Sequence, residues 1–260
     1  MSDDSPPDDP RAHPFARGLI QIRLAASFLT ILPLGPAAPA TLDDQAASFG
    51  WFPLIGFALG LALCLEARLL DFVFGPVLGS LLIVMTLVAV TGALHLDGLA
   101  DTADALGARA DRARALEILR DSHIGTFGTL ALIFVIGLKT AALAGSHGAH
   151  RYAALYAAPG LARWAMTGIS YGLEYLREQG AGTPLLKRGP GRNLRLATII
   201  AVAGIIPLFG RCALRASLTA VVITLALRWF YRRWLGGITG DLIGAAGEIV
   251  ETAVLIAVAH

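Results

Sequence analysis

Three aspartates in one short segment are the residues of this sequence best suited to chemistry. In HLDGLADTADAL, Asp97, Asp101 and Asp104 are spaced i, i+4 and i+7. On a helix these positions share one face, within an arc of about 60°. Carboxylates at this spacing repel one another, so a bound cation is the natural compensation, and a solvated helix face is the alternative. The spacing predicts a Mg²⁺ site, because Mg²⁺ accepts few carboxylates and keeps positions for phosphate oxygens and water.

Two glycine-rich segments are suited to binding phosphate. The first, RDSHIGTFGTLA, precedes an apolar run, and the second, LGGITGDLIG, begins another. A phosphate is held by N–H groups at a helix N-terminus, glycines that permit close approach, hydroxyls and an arginine fork. The candidates are Arg120, Ser122, Gly125, Thr126 and Gly128 in the first segment, and Thr239, Gly240 and Asp241 in the second. For the first segment, a helix cap by Ser122 or Thr126 is the alternative.

The composition places these motifs in a membrane protein. Of 260 residues, 55% are hydrophobic and 15% are charged, and the mean hydropathy is +0.65. Soluble domains carry about 25% charged residues, and several apolar runs here are long enough to cross a ~30 Å hydrocarbon core. We predict an all-α polytopic membrane bundle with one domain over 18–260 and seven spans, at 48–66, 77–96, 127–145, 152–172, 196–210, 213–230 and 238–259.

The N-terminal region differs from the rest of the chain. Residues 1–17 are acidic and proline-rich, and we predict a disordered tail. Residues 18–34 are apolar but include Gln21 and Arg23. We expect an interfacial helix there, with a re-entrant segment or a further span as alternatives.

Basic residues outside the predicted spans are distributed unequally. Fifteen lie on the face of the N-terminus and the two long polar loops, and four lie on the other face. Because positively charged segments stay on the cytoplasmic side, all three polar motifs are predicted to converge at the cytoplasmic surface. The basic, glycine-rich segment 174–195 on this face either covers a nucleotide or only connects two spans. The net charge of +2 gives no general polyanion-binding surface, so no nucleic-acid partner is expected.

Four ionisable residues lie inside predicted spans, namely Lys139, Arg163, Glu248 and Glu251. Such residues are costly in lipid unless they are paired or face a polar cavity, so they are second-rank functional candidates with structural pairing as the alternative. In a transporter they would line a path near the bilayer midplane. Most polar groups of this sequence lie at one membrane boundary, which favours an enzyme.

The motifs HLDGLADTADAL, ILRDSHIGTFGTLALIF and GGITGDLIGAAGEIVE, with FLTILPLG and FGWFPLIGFALG before them, closely resemble those of the cobalamin synthase (adenosylcobinamide-GDP ribazoletransferase) family. The resemblance runs from about residue 18 to the end, in the same order. It implies a late step of cobalamin synthesis in which adenosylcobinamide-GDP and α-ribazole, or its 5′-phosphate, give adenosylcobalamin, or its 5′-phosphate, and GMP. It also implies a Mg²⁺ cofactor and a multi-pass protein of the bacterial inner membrane; a homo-oligomer is compatible with it.

For the site, the resemblance implies a metal held on the pyrophosphate by the aspartates, with phosphate oxygens bound by Arg120 and the turn from Ser122 to Gly128. Thr239 and Asp241 would complete the metal or nucleotide site. Either Asp121 or His95 would take the hydroxyl proton, although His95 is as easily a packing residue.

The CDP-alcohol phosphotransferases are a related class that also places aspartates around a metal. After Asp97-Gly98 this chain continues LAD, where their signature has Ala-Arg, and the sequence has no second pair of aspartates downstream at helical spacing. The alternatives to a cobalamin synthase are therefore another membrane enzyme with similar chemistry, or a transporter.

Overall fold

The computed structural model describes residues 14–34, 40–109, 111–121, 123–177, 190–208 and 210–259. These residues are almost entirely helical. The helices are α1 (Pro14–Leu29), α2 (Leu42–Ser48), α3 (Phe52–Val73), α4 (Pro76–Val90), α5 (Leu94–Gly107), α6 (Arg112–Ile118), α7 (Thr126–Gly145), α8 (Gly148–Ser170), α9 (Pro190–Ile205), α10 (Gly210–Trp234) and α11 (Gly240–Ala259). Two 3₁₀ turns cover Phe49–Trp51 and Ile206–Leu208, and two short strands, β1 (Glu174–Tyr175) and β2 (Gly237–Ile238), pair in parallel.

Helices of membrane-spanning length confirm the predicted all-α polytopic membrane architecture. Within the described ranges, five stretches are long and apolar enough to cross a membrane: Leu42–Val73, Thr126–Gly145, Gly191–Leu208, Gly210–Trp234 and Gly240–Ala259. Together α4 and α5 make a sixth if the bent pair is one span. The predicted count of seven was therefore wrong.

The missing span is α8, which was predicted at 152–172. This helix is long enough to cross a bilayer but is not among the sufficiently apolar stretches of the described chain. It packs against α3, α9, α10 and α11 and buries most of its length, including Arg151 and Arg163. Because other helices surround it, its side chains do not need to be lipid-soluble.

The second predicted span, 77–96, is broken. Helix α4 ends at Val90 and α5 begins at Leu94, and the two helix axes differ by 93°. Between them, Gly92 and Ala93 have φ of +61° and +56°, and the left-handed conformation of Ala93 is unusual for a residue with a Cβ. The Ile31 N–H donates to the Val90 carbonyl at 2.8 Å and so satisfies a group that the bend frees. Helix α5 therefore turns sharply away from the direction of α4.

The N-terminal helix α1 begins at Pro14, four residues before the predicted domain boundary, and residues 1–13 lie outside the described chain. It is not among the candidate spans and packs on α2 and α3. Gln21 Nε2 donates to Asp44 Oδ1 at 3.3 Å, and Trp51 Nε1 donates to Gln21 Oε1 at 3.2 Å. Its polar residues thus tie it to the start of α3.

Small side chains set the packing around α8. A Cβ on Gly56 of α3 would come 2.3 Å from the Pro159 carbonyl oxygen, so the two backbones are in direct contact. Alanines make up much of the core that α8 forms with its neighbours. Such close packing through small residues is typical of membrane helices, which gain little from burying apolar surface against one another.

The turns at one end of the bundle contact one another and form what we call the loop face. Arg112 Nε, after α5, donates to the Leu235 carbonyl oxygen at 2.7 Å. The strand pair β1–β2 joins the segment after α8 to the segment before α11. This end of the bundle carries the three polar motifs.

Candidate active site at the loop face

Helix α5 crosses the first turns of α11 in close contact, and this crossing positions the aspartates. A Cβ on Gly98 would lie 2.7 Å from the Asp241 carbonyl oxygen, and one on Gly244 would lie 3.2 Å from the His95 Cα. Glycine at both positions removes the side chains that would separate the helices. Asp97 and Asp101 are therefore close enough to Asp241 for their charges to interact.

Two of the three predicted aspartates have free carboxylates. Asp97 is exposed and Asp101 is half-buried, and neither forms a hydrogen bond or an ion pair with any residue that the structure describes. The charged groups acting on Asp101 include the carboxylates of Asp97, Asp104 and Asp241 and the guanidinium of Arg177. The loop face thus holds a pair of unpaired acidic groups one helical turn apart.

The third aspartate, Asp104, caps helix α7. Its Oδ2 accepts the Gly125 N–H at 2.7 Å, and its Oδ1 accepts the Gly128 N–H at 2.9 Å. A Cβ on either glycine would come 2.4 Å from this carboxylate. The predicted phosphate cradle therefore does bind an anion, but that anion is a side chain of the same protein, stabilised by the positive end of the helix.

Asp241, in the first turn of α11, is held by two side chains. Arg177 Nη2 donates to Asp241 Oδ2 at 2.7 Å, and Thr239 Oγ1 donates to the same oxygen at 3.2 Å. Thr239 also accepts the Leu242 N–H at 3.4 Å, while Gly240 is exposed at the helix start. The predicted residues of the second glycine-rich segment thus lie together beside α5.

Arg177 belongs to the basic segment 174–195, and the sequence analysis did not single it out as a site residue. The β1–β2 pair, continued by the Leu176 N–H donating to the Ile238 carbonyl oxygen at 2.9 Å, carries it next to α11. Its Nη2 also donates to the Leu119 carbonyl oxygen at 2.5 Å. It lies 64 positions from Asp241 in the chain, and no local spacing pattern marks it. Residues 178–189, most of the segment predicted to cover a nucleotide or connect two spans, lie outside the described ranges.

The remaining residues of the first glycine-rich segment form no hydrogen bond or ion pair with the aspartates of α5 or α11 among the described residues. Arg120 and Thr126 are exposed, and Ser122 lies outside the described residues. Asp121 Oδ1 lies 2.6 Å from His123 Nδ1, and both side chains are exposed. This hydrogen bond holds the pKa of Asp121 below its usual value and raises the pKa of His123.

His95 lies in the first turn of α5 and is buried on the side of the bundle interior. It is 3% exposed, and its Nε2 has no hydrogen-bond partner among the described residues. Its charged neighbours are Arg163, Glu251 and Lys139, which belong to the bundle interior. The structure therefore places His95 with the intramembrane charges.

The four intramembrane ionisable residues pair with one another. Lys139 Nζ donates to Glu248 Oε2 and to Glu251 Oε1, both at 2.6 Å, and Arg163 Nη1 donates to Glu251 Oε2. All four side chains are buried, and two positive charges balance two negative ones. The adjoining cavity has a volume of about 10 Å³, which is room for at most one water molecule. The cluster links α7, α8 and α11.

The free carboxylates suit Mg²⁺, although they do not form a complete metal cage. No group of three or more His, Cys, Asp or Glu residues with metal-binding geometry occurs in the described parts of the chain. Mg²⁺ is usually bound through one or two carboxylates, with waters and substrate phosphates in the other positions. Asp97 and Asp101 offer hard oxygen donors and no nitrogen or sulfur, so this donor set fits a magnesium–phosphate complex.

Comparison with known proteins agrees with the motifs. The family model described as cobalamin-5-phosphate synthase matches residues 21–259. A protein of Syntrophobacter fumaroxidans named adenosylcobinamide-GDP ribazoletransferase is 41% identical over 241 residues, covering 90% of this chain and 96% of the relative. One of the same name from Stutzerimonas stutzeri is 39% identical and covers 93% and 98% of the two chains. No solved structure matches the chain. The chain belongs to the cobalamin-5-phosphate synthase family.

Proposed function

We propose that this protein joins adenosylcobinamide-GDP to α-ribazole, or to its 5′-phosphate, with release of GMP. The products are adenosylcobalamin, or its 5′-phosphate, and the reaction class is transfer of a substituted phosphate group. The observation that carries the proposal is the free pair Asp97 and Asp101 beside Arg177 and Asp241, in a chain whose relatives bear the name of this transferase.

The reaction forms one O–P bond and breaks another. The 3′-hydroxyl oxygen of the ribazole attacks the phosphorus attached to the cobinamide arm. The bond from that phosphorus to the bridging oxygen of the pyrophosphate breaks, GMP leaves with the bridging oxygen, and the hydroxyl proton passes to a base. No covalent intermediate with the protein is needed.

The described side chains can supply the electrostatic part of this reaction. Asp97 and Asp101 would hold Mg²⁺, which neutralises developing charge on pyrophosphate oxygens when it is bound. Arg177 offers a guanidinium fork to the same oxygens, since its Nη1 and Nε make no hydrogen bond within the described chain. Arg120, exposed on the same face, is available for the guanosine phosphate.

For the base, we propose His123, because its imidazole is exposed and is hydrogen-bonded to Asp121. Its Nδ1 is engaged by Asp121, which leaves Nε2 to accept a proton, and the ring is exposed at the loop face. Asp121 then orients the imidazole and stabilises its protonated form. His95, which the sequence analysis considered beside Asp121, is buried near Arg163, Glu251 and Lys139.

The charge distribution supports a cytoplasmic location for the site. The loop face carries most of the basic residues outside the bundle interior, as cytoplasmic segments of inner-membrane proteins do. Both the nucleotide substrate and GMP would then be exchanged directly with the cytoplasm.

A transporter would need a polar route through the bundle. The intramembrane charges that the sequence offered for such a route form ion pairs with one another, and the cavity beside them has room for at most one water molecule. The unpaired carboxylates of Asp97 and Asp101 lie at the loop face instead, which is the arrangement expected of a surface enzyme.

The proposal is tested by turnover of the full chain in lipid nanodiscs with adenosylcobinamide-GDP and α-ribazole, with and without Mg²⁺. We expect cobalamin and GMP in equal amounts, dependent on Mg²⁺ and abolished in Asp97→Ala. Glu117→Gln, which removes an exposed carboxylate paired only locally with Arg114, serves as the matched control and keeps full activity. Absence of product from well-folded wild type, tested with both free and phosphorylated ribazole, contradicts the proposal.

A further inference from the structure

We propose that Arg177 is an exchangeable counter-ion, which neutralises Asp241 before substrate binds and transfers to the substrate pyrophosphate afterwards. Arg177 is absent from the motifs that carry the family resemblance. The inference rests on the proposed function for the identity of the pyrophosphate. The observation behind it is that Arg177 lies among several carboxylates.

In the immediate surroundings of Asp101, acidic groups outnumber basic ones. Asp104 is neutralised by two N–H groups and the positive end of α7. Asp97, Asp101 and Asp241 are then three acidic groups that interact with one another, and Arg177 is the basic group that acts on them. Metal binding to Asp97 and Asp101 is therefore favoured by the carboxylates and opposed by the guanidinium.

The contact between Arg177 and Asp241 uses only part of the guanidinium. A single nitrogen, Nη2, serves both Asp241 Oδ2 and the Leu119 carbonyl oxygen. Arginine pairs strongly with carboxylate or phosphate when two parallel N–H groups engage two oxygens. The side chain is 27% exposed, so its other N–H groups are open to an anion arriving from the loop face. A pyrophosphate can thus offer Arg177 a better partner than Asp241 does.

The exchange couples the binding of metal and of phosphate. Without an anion, Arg177 repels the metal and occupies an Asp241 oxygen. With a pyrophosphate bound, the same guanidinium stabilises the anion and leaves Asp241 open to the metal. Arg177 therefore weakens binding of the metal alone and strengthens binding of the metal–pyrophosphate complex.

Arg177 should thus have opposite effects on the affinity for the metal alone and on the affinity for the pyrophosphate. A purely structural role would change both affinities in the same direction. We would measure Mn²⁺ binding by electron paramagnetic resonance on the full chain in nanodiscs, with and without GDP as the pyrophosphate probe. For Arg177→Gln we expect Mn²⁺ alone to bind about three- to tenfold more tightly than in wild type, and GDP in saturating Mn²⁺ to bind about tenfold more weakly. Arg177→Lys, which keeps the charge and loses the fork, should leave Mn²⁺ affinity unchanged and weaken GDP several-fold.

The control is Arg114→Gln, an exposed arginine of the loop face that pairs with Glu117, and it should change neither affinity. Equal weakening of both ligands by Arg177→Gln would show that Arg177 only holds Asp241 in place, and unchanged affinities would show that it lies outside the site; either result overturns the proposal. If Arg177→Gln unfolds, Arg177→Lys decides by its GDP affinity. A wild type that binds neither probe would overturn the proposed function itself, which is a different result.

Discussion

Aspartates of the same type perform different tasks at this site, and their hydrogen bonds distinguish them. Both carboxylate oxygens of Asp104 accept N–H groups at the start of α7, and Asp241 accepts hydrogen bonds from Arg177 and Thr239. Asp97 and Asp101 form no hydrogen bond or ion pair with the described residues, and in the proposed function they bind the metal. Removing a free carboxylate and removing a capping carboxylate should therefore have different consequences.

Asp104→Ala should destabilise the protein, and Asp97→Asn should not. The first change leaves two N–H groups of α7 without acceptors, at a cost of about 1–2 kcal/mol. The second removes no hydrogen bond of the described chain and should lower turnover at least 100-fold while thermal unfolding in nanodiscs is unchanged. Equal melting temperatures for the two variants would show that Asp104 is not a cap.

The Asp121–His123 pair predicts the pH dependence of turnover. A base must be deprotonated, and Asp121 raises the pKa of His123 above its usual value near 6.5. Activity should therefore rise with pH through a point above 6.5, and Asp121→Asn should move that rise to lower pH because it removes the interaction that raises the pKa. The measurement is the pH profile of turnover at saturating substrates. If His123→Gln retains the wild-type profile, another group is the base.

Among the helices, α5 determines where the three aspartates of the site lie. The i, i+4, i+7 spacing correctly predicted a helix with its aspartates on one side. The sequence did not show that the preceding span breaks, because the apolar run continues through Gly92 and Ala93 and only their left-handed conformations make the bend. It predicted that the polar motifs of α5 and α11 converge on one face, but it did not show the direct contact of the two helices, since that contact depends on a glycine 143 positions before Asp241.

Gly98→Ala should misplace the aspartates. Its Cβ would lie 2.7 Å from the Asp241 carbonyl oxygen, so α5 must move away from α11. We expect at least a tenfold loss of turnover together with weaker Mn²⁺ binding. Gly75→Ala is the matched control, because nothing lies within 4 Å of its added Cβ and its φ is −64°. Normal Mn²⁺ affinity in Gly98→Ala would contradict this role for the crossing.

The buried charges link three helices, and breaking their balance should be costly. Lys139→Met leaves Glu248 and Glu251 with one cation between them, and loss of one partner from a buried ion network costs about 3–5 kcal/mol. Adding Glu248→Gln restores neutrality and should recover much of the stability. Thermal unfolding of the single and double variants checks this expectation, which fails if the double variant is the less stable.

For the whole molecule, composition was sufficient to predict a helical membrane bundle but insufficient to count its spans. Helix α8 carries two arginines and many small residues because neighbours surround it, and a span that faces protein looks less apolar than one that faces lipid. Arg177 was missed for a related reason: its contact with Asp241 arises only when β1 pairs with β2. Contacts between segments that are far apart in the sequence can be identified only in the folded structure.

The orientation of the bundle is testable with single cysteines in a background lacking Cys64 and Cys212. His147→Cys, exposed at the end opposite the loop face, should react with an impermeant maleimide added to spheroplasts, whereas Glu117→Cys should react only after the membrane is opened. This outcome places the loop face in the cytoplasm. The reverse pattern would place it outside.

The alanine- and glycine-rich packing around α8 makes the mutational tolerance of the protein asymmetric. A core of leucines loses stability when side chains are shortened, whereas contacts such as Gly56 against the Pro159 carbonyl have no side-chain atoms left to remove. Nearly every substitution at such a position adds atoms where two backbones already touch. In related sequences, selection should therefore act at these positions mainly against larger side chains. Substitutions should be tolerated most often on the lipid-facing sides of the helices.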